Sequence, residues 1–89
     1  MKIKLELYGA SREFSKKDYL EFNLKEKSSI NDLRNEILNF IDKNFKSNSN
    51  FKKLIKSSKF CSEENHIVAD SYRITKDQKI GIIPPIGGG

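Results

Sequence analysis

Apolar and polar residues alternate from the first positions of the chain. Ile3, Leu5 and Leu7 are separated by Lys4 and Glu6. A period of two predicts a strand with one buried face. The alternation returns at Leu20, Phe22 and Leu24, across Glu21 and Asn23. Between the two runs, Gly9 to Lys17 is polar and turn-rich, with Phe14 as a lone apolar anchor. The pair therefore reads as an N-terminal hairpin.

The period then changes. Ile30, Leu33, Ile37, Leu38 and Ile41 recur at helical spacing, with Phe40 and Phe45 extending the stripe. Ser29 stands where an N-cap belongs, and Asp32 three residues on completes a variant of the capping box. Ser47-Asn48-Ser49-Asn50 breaks the pattern and offers a second cap. Phe51, Leu54 and Ile55 follow at i, i+3, i+4, which predicts a short helix from Asn50 to Ser57. A third strand begins at Phe60, Glu63-Glu64-Asn65 forms a turn, and Ile67-Val68-Ala69 is a short fourth strand. Ile74 is an isolated anchor before a polar turn at Lys76-Asp77-Gln78. Ile80 to Ile83 is apolar on both faces, the mark of a central strand. The order β-β-α-(α)-β-β-β predicts an α+β domain with a mixed five-stranded sheet, one main helix and one short helix.

The length of 89 residues fits one domain with a modest core. The predicted division is a folded domain over 1–83 and an extended tail over 84–89. The net charge is +5, but the excess is local. Lys43, Lys46, Lys52, Lys53, Lys56 and Lys59 put +6 in one segment without an acid, leaving −1 for the rest of the chain. Such a segment can steer toward nucleic acid or an acidic partner, or can be a solvated helix face. No aromatics alternate with these lysines as a base-stacking surface needs, which disfavours nucleic acid. Cys61 is the single cysteine, so no disulfide forms within the chain, and a reducing, cytoplasmic setting is expected. Its place beside Phe60 suggests a small buried hydrophobe rather than a nucleophile. His66 is the single histidine and has no partner at metal-ligand spacing, so no metal site is expected. No export signal and no membrane-length apolar run is present, so no membrane partner is expected.

The final residues carry the chemistry. The last strand runs into Pro84-Pro85-Ile86-Gly87-Gly88-Gly89. Proline fixes φ and lacks an N–H, so the strand ladder stops there. It also holds the preceding residue extended, which makes a stiff exit from the sheet. Ile86 is an apolar grip on that exit. Three glycines form a thread that fits a channel too narrow for side chains. At its end the Gly89 carboxylate is a poor acyl donor until activated, for example as an acyl-adenylate. The chain offers no metal, base or cysteine for that step, so partners must supply the catalysis. The chain itself is expected not to be an enzyme.

The strand and helix order, with Ile82-Ile83-Pro84-Pro85-Ile86-Gly87-Gly88-Gly89, resembles the small subunit of molybdopterin synthase, among the ubiquitin-like β-grasp sulfur carriers. The resemblance implies a β-grasp fold and a cycle. An E1-like enzyme adenylates Gly89 using ATP and Mg, a persulfide relay donates sulfur to give a thiocarboxylate, and the tail enters the large synthase subunit during molybdenum cofactor biosynthesis. Ile83, Pro84, Pro85, Ile86, Gly87 and Gly88 would contact those partners, and no cofactor would be bound by the chain. The sequence departs from the usual pattern at four places. Ile83 replaces an aromatic, Gly87 replaces Ser or Thr, Asp77-Gln78 replaces Gly-Asp, and Glu63-Glu64-Asn65 replaces a turn with Asn-Gly. Related carriers serve thiamine synthesis and tRNA thiolation. Related modifiers join target lysines through the same terminal glycines, which is the main alternative. A basic binding domain with incidental glycines is a third.

Overall fold

The computed structural model describes residues 1–85. Five strands form one sheet: β1 (Lys2–Leu7), β2 (Tyr19–Asn23), β3 (Lys59–Cys61), β4 (Ile67–Val68) and β5 (Gln78–Ile83). Their spatial order is β2-β1-β5-β3-β4. β1 and β2 are the antiparallel hairpin, in register Ile3↔Phe22 and Leu5↔Leu20. β1 and β5 lie parallel at the centre, with Leu5 opposite Ile80 and Leu7 opposite Ile82. β3 runs antiparallel to both β5 and β4. The apolar run of the last strand thus occupies the central position its pattern predicts.

The main helix, α1 (Ile30–Asn44), crosses one face of the sheet. Ile30, Leu33, Ile37 and Ile41 are fully buried against Ile3, Leu5, Leu7, Phe60, Ile80 and Ile82. The period-two and period-3.6 stripes therefore close on each other in one core. Ser29 and Asp32 make the capping box: the Ser29 hydroxyl accepts from the Asp32 N–H at 3.2 Å, and the Asp32 carboxylate accepts from the Ser29 N–H at 2.8 Å. The next two N–H groups, of Ile30 and Asn31, donate to the Tyr72 and Asp70 carbonyls, both at 3.0 Å. The stretch between β4 and β5 is thus tied to the helix start, and Ile74 is buried beneath it.

The short helix α2 (Ser49–Ser57) is capped by Asn48, whose side chain accepts from the Phe51 N–H at 3.0 Å. Its carboxyl end is held by Arg34. That guanidinium donates to the carbonyls of Ile55 (2.6 Å), Lys56 (3.3 Å) and Ser58 (2.8 Å), pairs with Asp70 at 2.7 Å, and lies over the Phe60 ring. Phe51 and Phe45 pack around Phe14, with ring centroids 5.1 and 6.0 Å away, and Phe40 joins this group to Phe22. Phe14 reaches the cluster from a 3-10 helix over Gly9–Phe14, in a stretch whose sequence pattern predicts only a turn. No amphipathic period marks that helix. It is set locally, with Ser11 donating to the Tyr8 carbonyl through both its N–H and its hydroxyl, and by burial of Phe14.

Candidate functional site

β5 carries the chain to the site. Its ladder ends at Ile83, the last residue before two prolines without N–H groups. Ile83 is half-buried and stands opposite Lys59 on β3. Pro84 is buried, while Pro85 is exposed. A Cβ placed on Gly9 would come within 3.9 Å of the Pro84 ring, so the first turn of the 3-10 helix lies against the exit. Gly9 has φ +55°, a backbone state that a side chain disfavours. The packing of the folded unit therefore extends through the first proline. Of the predicted site residues, Ile83, Pro84 and Pro85 fall together at this end of the sheet. Ile86, Gly87, Gly88 and Gly89 lie outside the described residues.

Beside the exit, on the sheet face opposite α1, is a groove of about 370 Å³. Its floor is Gly81 and its walls include Glu6, Tyr8, Cys61, Glu63, Lys79 and Ile83. Pairing across the sheet places Glu6, Gly81, Cys61 and Ile67 in one row. Glycine leaves a gap in that row, and the Tyr8 ring covers it. A Cβ on Gly81 would stand 2.9 Å from Tyr8 Cε2. Tyr8 in the groove wall and Ile67 at the end of the row keep 45% and 57% of their surface exposed, so this face offers apolar contact area. Gly81, Tyr8 and Gly9 escape the sequence reading. A glycine inside an apolar strand was the available signal for a close approach.

Cys61 differs from its expected role. β3 alternates, so Phe60 enters the core and Cys61 faces the groove, half-buried. Its thiol donates a weak hydrogen bond to the Ser62 carbonyl at 3.6 Å. Among the described residues no three His, Cys, Asp or Glu side chains gather as a metal site, and no helix is long and apolar enough to cross a membrane. Two carboxyls are held below their ordinary range. Asp32 is held by hydrogen bonds from the Ser29 backbone and side chain, and Asp42 by hydrogen bonds from Lys52 and Ser47. Asp32 belongs to the α1 cap, and Asp42 ties α1 to Lys52 of α2.

A mixed sheet of order β2-β1-β5-β3-β4, gripping one main helix on one face, is the β-grasp fold of ubiquitin-like proteins. Three solved structures share it across nearly the whole chain. A protein assigned as molybdopterin converting factor subunit 1, from Pyrococcus furiosus, superposes with a TM-score of 0.69 at 19% identity, covering 96% of this chain and 98% of its own. SAMP1 from Haloferax volcanii gives 0.71 at 9% identity with both chains fully covered. The ubiquitin of Caldiarchaeum subterraneum gives 0.62 at 16% identity, covering 100% of this chain and 98% of its own. The likeness is one of fold. By sequence, no family model and no curated protein matches the chain.

Proposed function

We propose that the chain is a ubiquitin-like sulfur carrier that works through the carboxyl group of Gly89, as the small subunit of a molybdopterin synthase. The observation that carries this reading is the end of β5. A central strand, fixed by pairing on both sides, runs into Pro84, which is packed against Gly9, and after Pro85 and Ile86 the sequence ends in Gly-Gly-Gly without side chains. A rigid stem of this kind suits an acyl donor carried at the end of the chain. The β-grasp fold shared with a converting-factor subunit supports the same reading.

In this reading an E1-like enzyme supplies ATP and Mg. The Gly89 carboxylate attacks the α-phosphorus, pyrophosphate leaves, and an acyl-adenylate forms. A persulfide of the relay then attacks the acyl carbon and AMP leaves, giving an acyl disulfide. A second thiol of the relay attacks the sulfur-sulfur bond, which leaves the relay as a disulfide and the terminal sulfur on the acyl group. The resulting thiocarboxylate is carried to the large synthase subunit. Ile83, Pro84, Pro85 and Ile86 grip the partners, Gly87 and Gly88 pass through their channels, and the Tyr8–Ile67 row gives apolar contact area beside the exit. No acid, base or metal of this chain takes part, so catalysis comes from the partners.

Deleting Gly89, or adding one residue after it, tests the reading. Both variants should retain the wild-type circular dichroism and melting transition but fail to support ATP–pyrophosphate exchange by the E1-like enzyme. An extended variant that still accepts sulfur contradicts it. The fold shared with SAMP1 and with an archaeal ubiquitin favours a second reading, in which Gly89 forms isopeptide bonds with lysines of target proteins. That reading predicts higher-mass conjugates in lysates of the native cell, lost on the same deletion.

A further inference from the structure

The basic segment acquires a location once the sheet is assembled. β3 runs antiparallel to β5, so the start of β3 stands beside the end of β5. Lys59 is the first residue of β3 and pairs with Ile83, the last residue before the prolines. Their Cα atoms are therefore about 5 Å apart. Only Ser58 separates Lys59 from α2. Lys53 and Lys56 are exposed on that helix and lie three residues apart, on one side of it. Lys59 thus stands at the end of the sheet from which the tail leaves, and Lys56 and Lys53 precede it by three and six residues on the helix that leads into β3.

Two further observations distinguish these lysines from a diffuse solvated face. Two acids near α2 are already engaged, Asp42 with Lys52 at 2.9 Å and Asp70 with Arg34 at 2.7 Å, while Glu6 and Glu63 line the groove on the sheet face opposite α1. Among the described residues, no ion pair involves Lys53, Lys56 or Lys59. The ridge is also held in place, because Arg34 binds the carbonyls of Ile55, Lys56 and Ser58 and so fixes α2 to the start of β3. A fixed cluster of unmatched positive charge at the mouth of a reactive tail is complementary to an acidic surface around the slot that receives it. The aromatic and large apolar residues of α2, Phe51 and Leu54, pack on the core, so the ridge lacks exposed rings on which bases could stack.

We propose that Lys53, Lys56 and Lys59 form a docking ridge for an acidic surface on the E1-like enzyme that activates the tail. The ridge governs how fast the two proteins meet and leaves the chemistry at Gly89 untouched. The inference rests on the carrier reading above.

The test is ATP–pyrophosphate exchange by the E1-like enzyme of the same organism, measured against carrier concentration at low and high NaCl. The full chain is compared with its K53E/K56E/K59E and K53Q/K56Q/K59Q variants, each first checked for a wild-type melting transition. The proposal expects the reversal variant to raise the half-saturating concentration at least about tenfold at low salt, with the maximal rate unchanged. The Gln variant should fall between, and added salt should bring the three together. Equal half-saturation and equal salt response in all three would overturn the ridge while leaving the carrier reading intact. No exchange with the wild-type chain would overturn the carrier reading and the ridge with it. Lysine-dependent binding of a single-stranded RNA oligonucleotide, with no lysine effect on exchange, would overturn the ridge in favour of a nucleic-acid surface.

Discussion

Gly81 shows how a single missing side chain shapes the face beside the tail. Its position faces the groove, and the Tyr8 ring occupies the space a Cβ would need. The Tyr8 side chain is exposed at its outer edge, so it can yield. Gly81→Ala should therefore change stability by less than about 1 kcal/mol, because lost chain entropy in the unfolded state offsets the displaced ring. Urea denaturation reads this directly, and a loss above about 3 kcal/mol would mean that Tyr8 is locked. Ser29 makes a different kind of contribution, since it satisfies an N–H that the helix leaves open. Ser29→Ala should cost about 1 kcal/mol. Its partner Asp32 adds a pH dependence. Its folded carboxyl is held below the ordinary value near 3.8 by hydrogen bonds from Ser29. The associated stability is thus present above that value and is lost as pH falls through the lower folded one. Asp32→Asn should be less stable than wild type at pH 7, and the gap should close in acid. A gap that persists unchanged to the lowest accessible pH would contradict the assignment. The capping box was legible in the sequence from Ser29 and Asp32 alone, because a cap is a local interaction. The Tyr8–Gly81 contact was not, because it joins residues more than seventy positions apart.

At the scale of elements, the hydrophobic periods account for the hairpin, both helices and the central place of β5. Each of those elements buries a stripe that repeats in its own sequence. The 3-10 helix lacks such a stripe, and its shape follows from Ser11 bonding to Tyr8 and from Phe14 reaching a distant aromatic cluster. Arg34 was equally hidden. It reads as one more polar position on α1, yet its side chain keeps only 12% exposure and links three elements. Its guanidinium fork reaches three carbonyls and a carboxylate at once. Arg34→Met should cost about 3 kcal/mol, since it strands the carbonyls of Ile55 and Ser58 in a half-buried setting. Arg34→Lys should recover little, because an ammonium cannot span the same set. Equilibrium denaturation of both variants checks this, and a Lys variant as stable as wild type would show that charge alone holds α2 in place.

The whole molecule is a stem that carries a thread. The fold was legible because the apolar runs mark the strands, and β5, apolar on both faces, takes the centre of the sheet between β1 and β3. The stem of the candidate site was legible in part. Pro84 and Pro85 mark where pairing must stop, but only the folded chain brings Gly9 against Pro84, the groove beside Ile83, and Lys59 opposite it. The basic segment read as a sequence left open a steering surface or a solvated helix face. In three dimensions its last lysine, Lys59, stands opposite Ile83. The proposed function puts the reactive group at the Gly89 carboxylate, and the intact mass of the protein purified from its own cell tests that most directly. The account predicts a population that ends at Gly89 with one carboxylate oxygen replaced by sulfur, lost on treatment that hydrolyses thiocarboxylates. A chain that carries only an unmodified Gly89 carboxylate under conditions of active cofactor synthesis, or one that continues past Gly89 in its mature form, would contradict it.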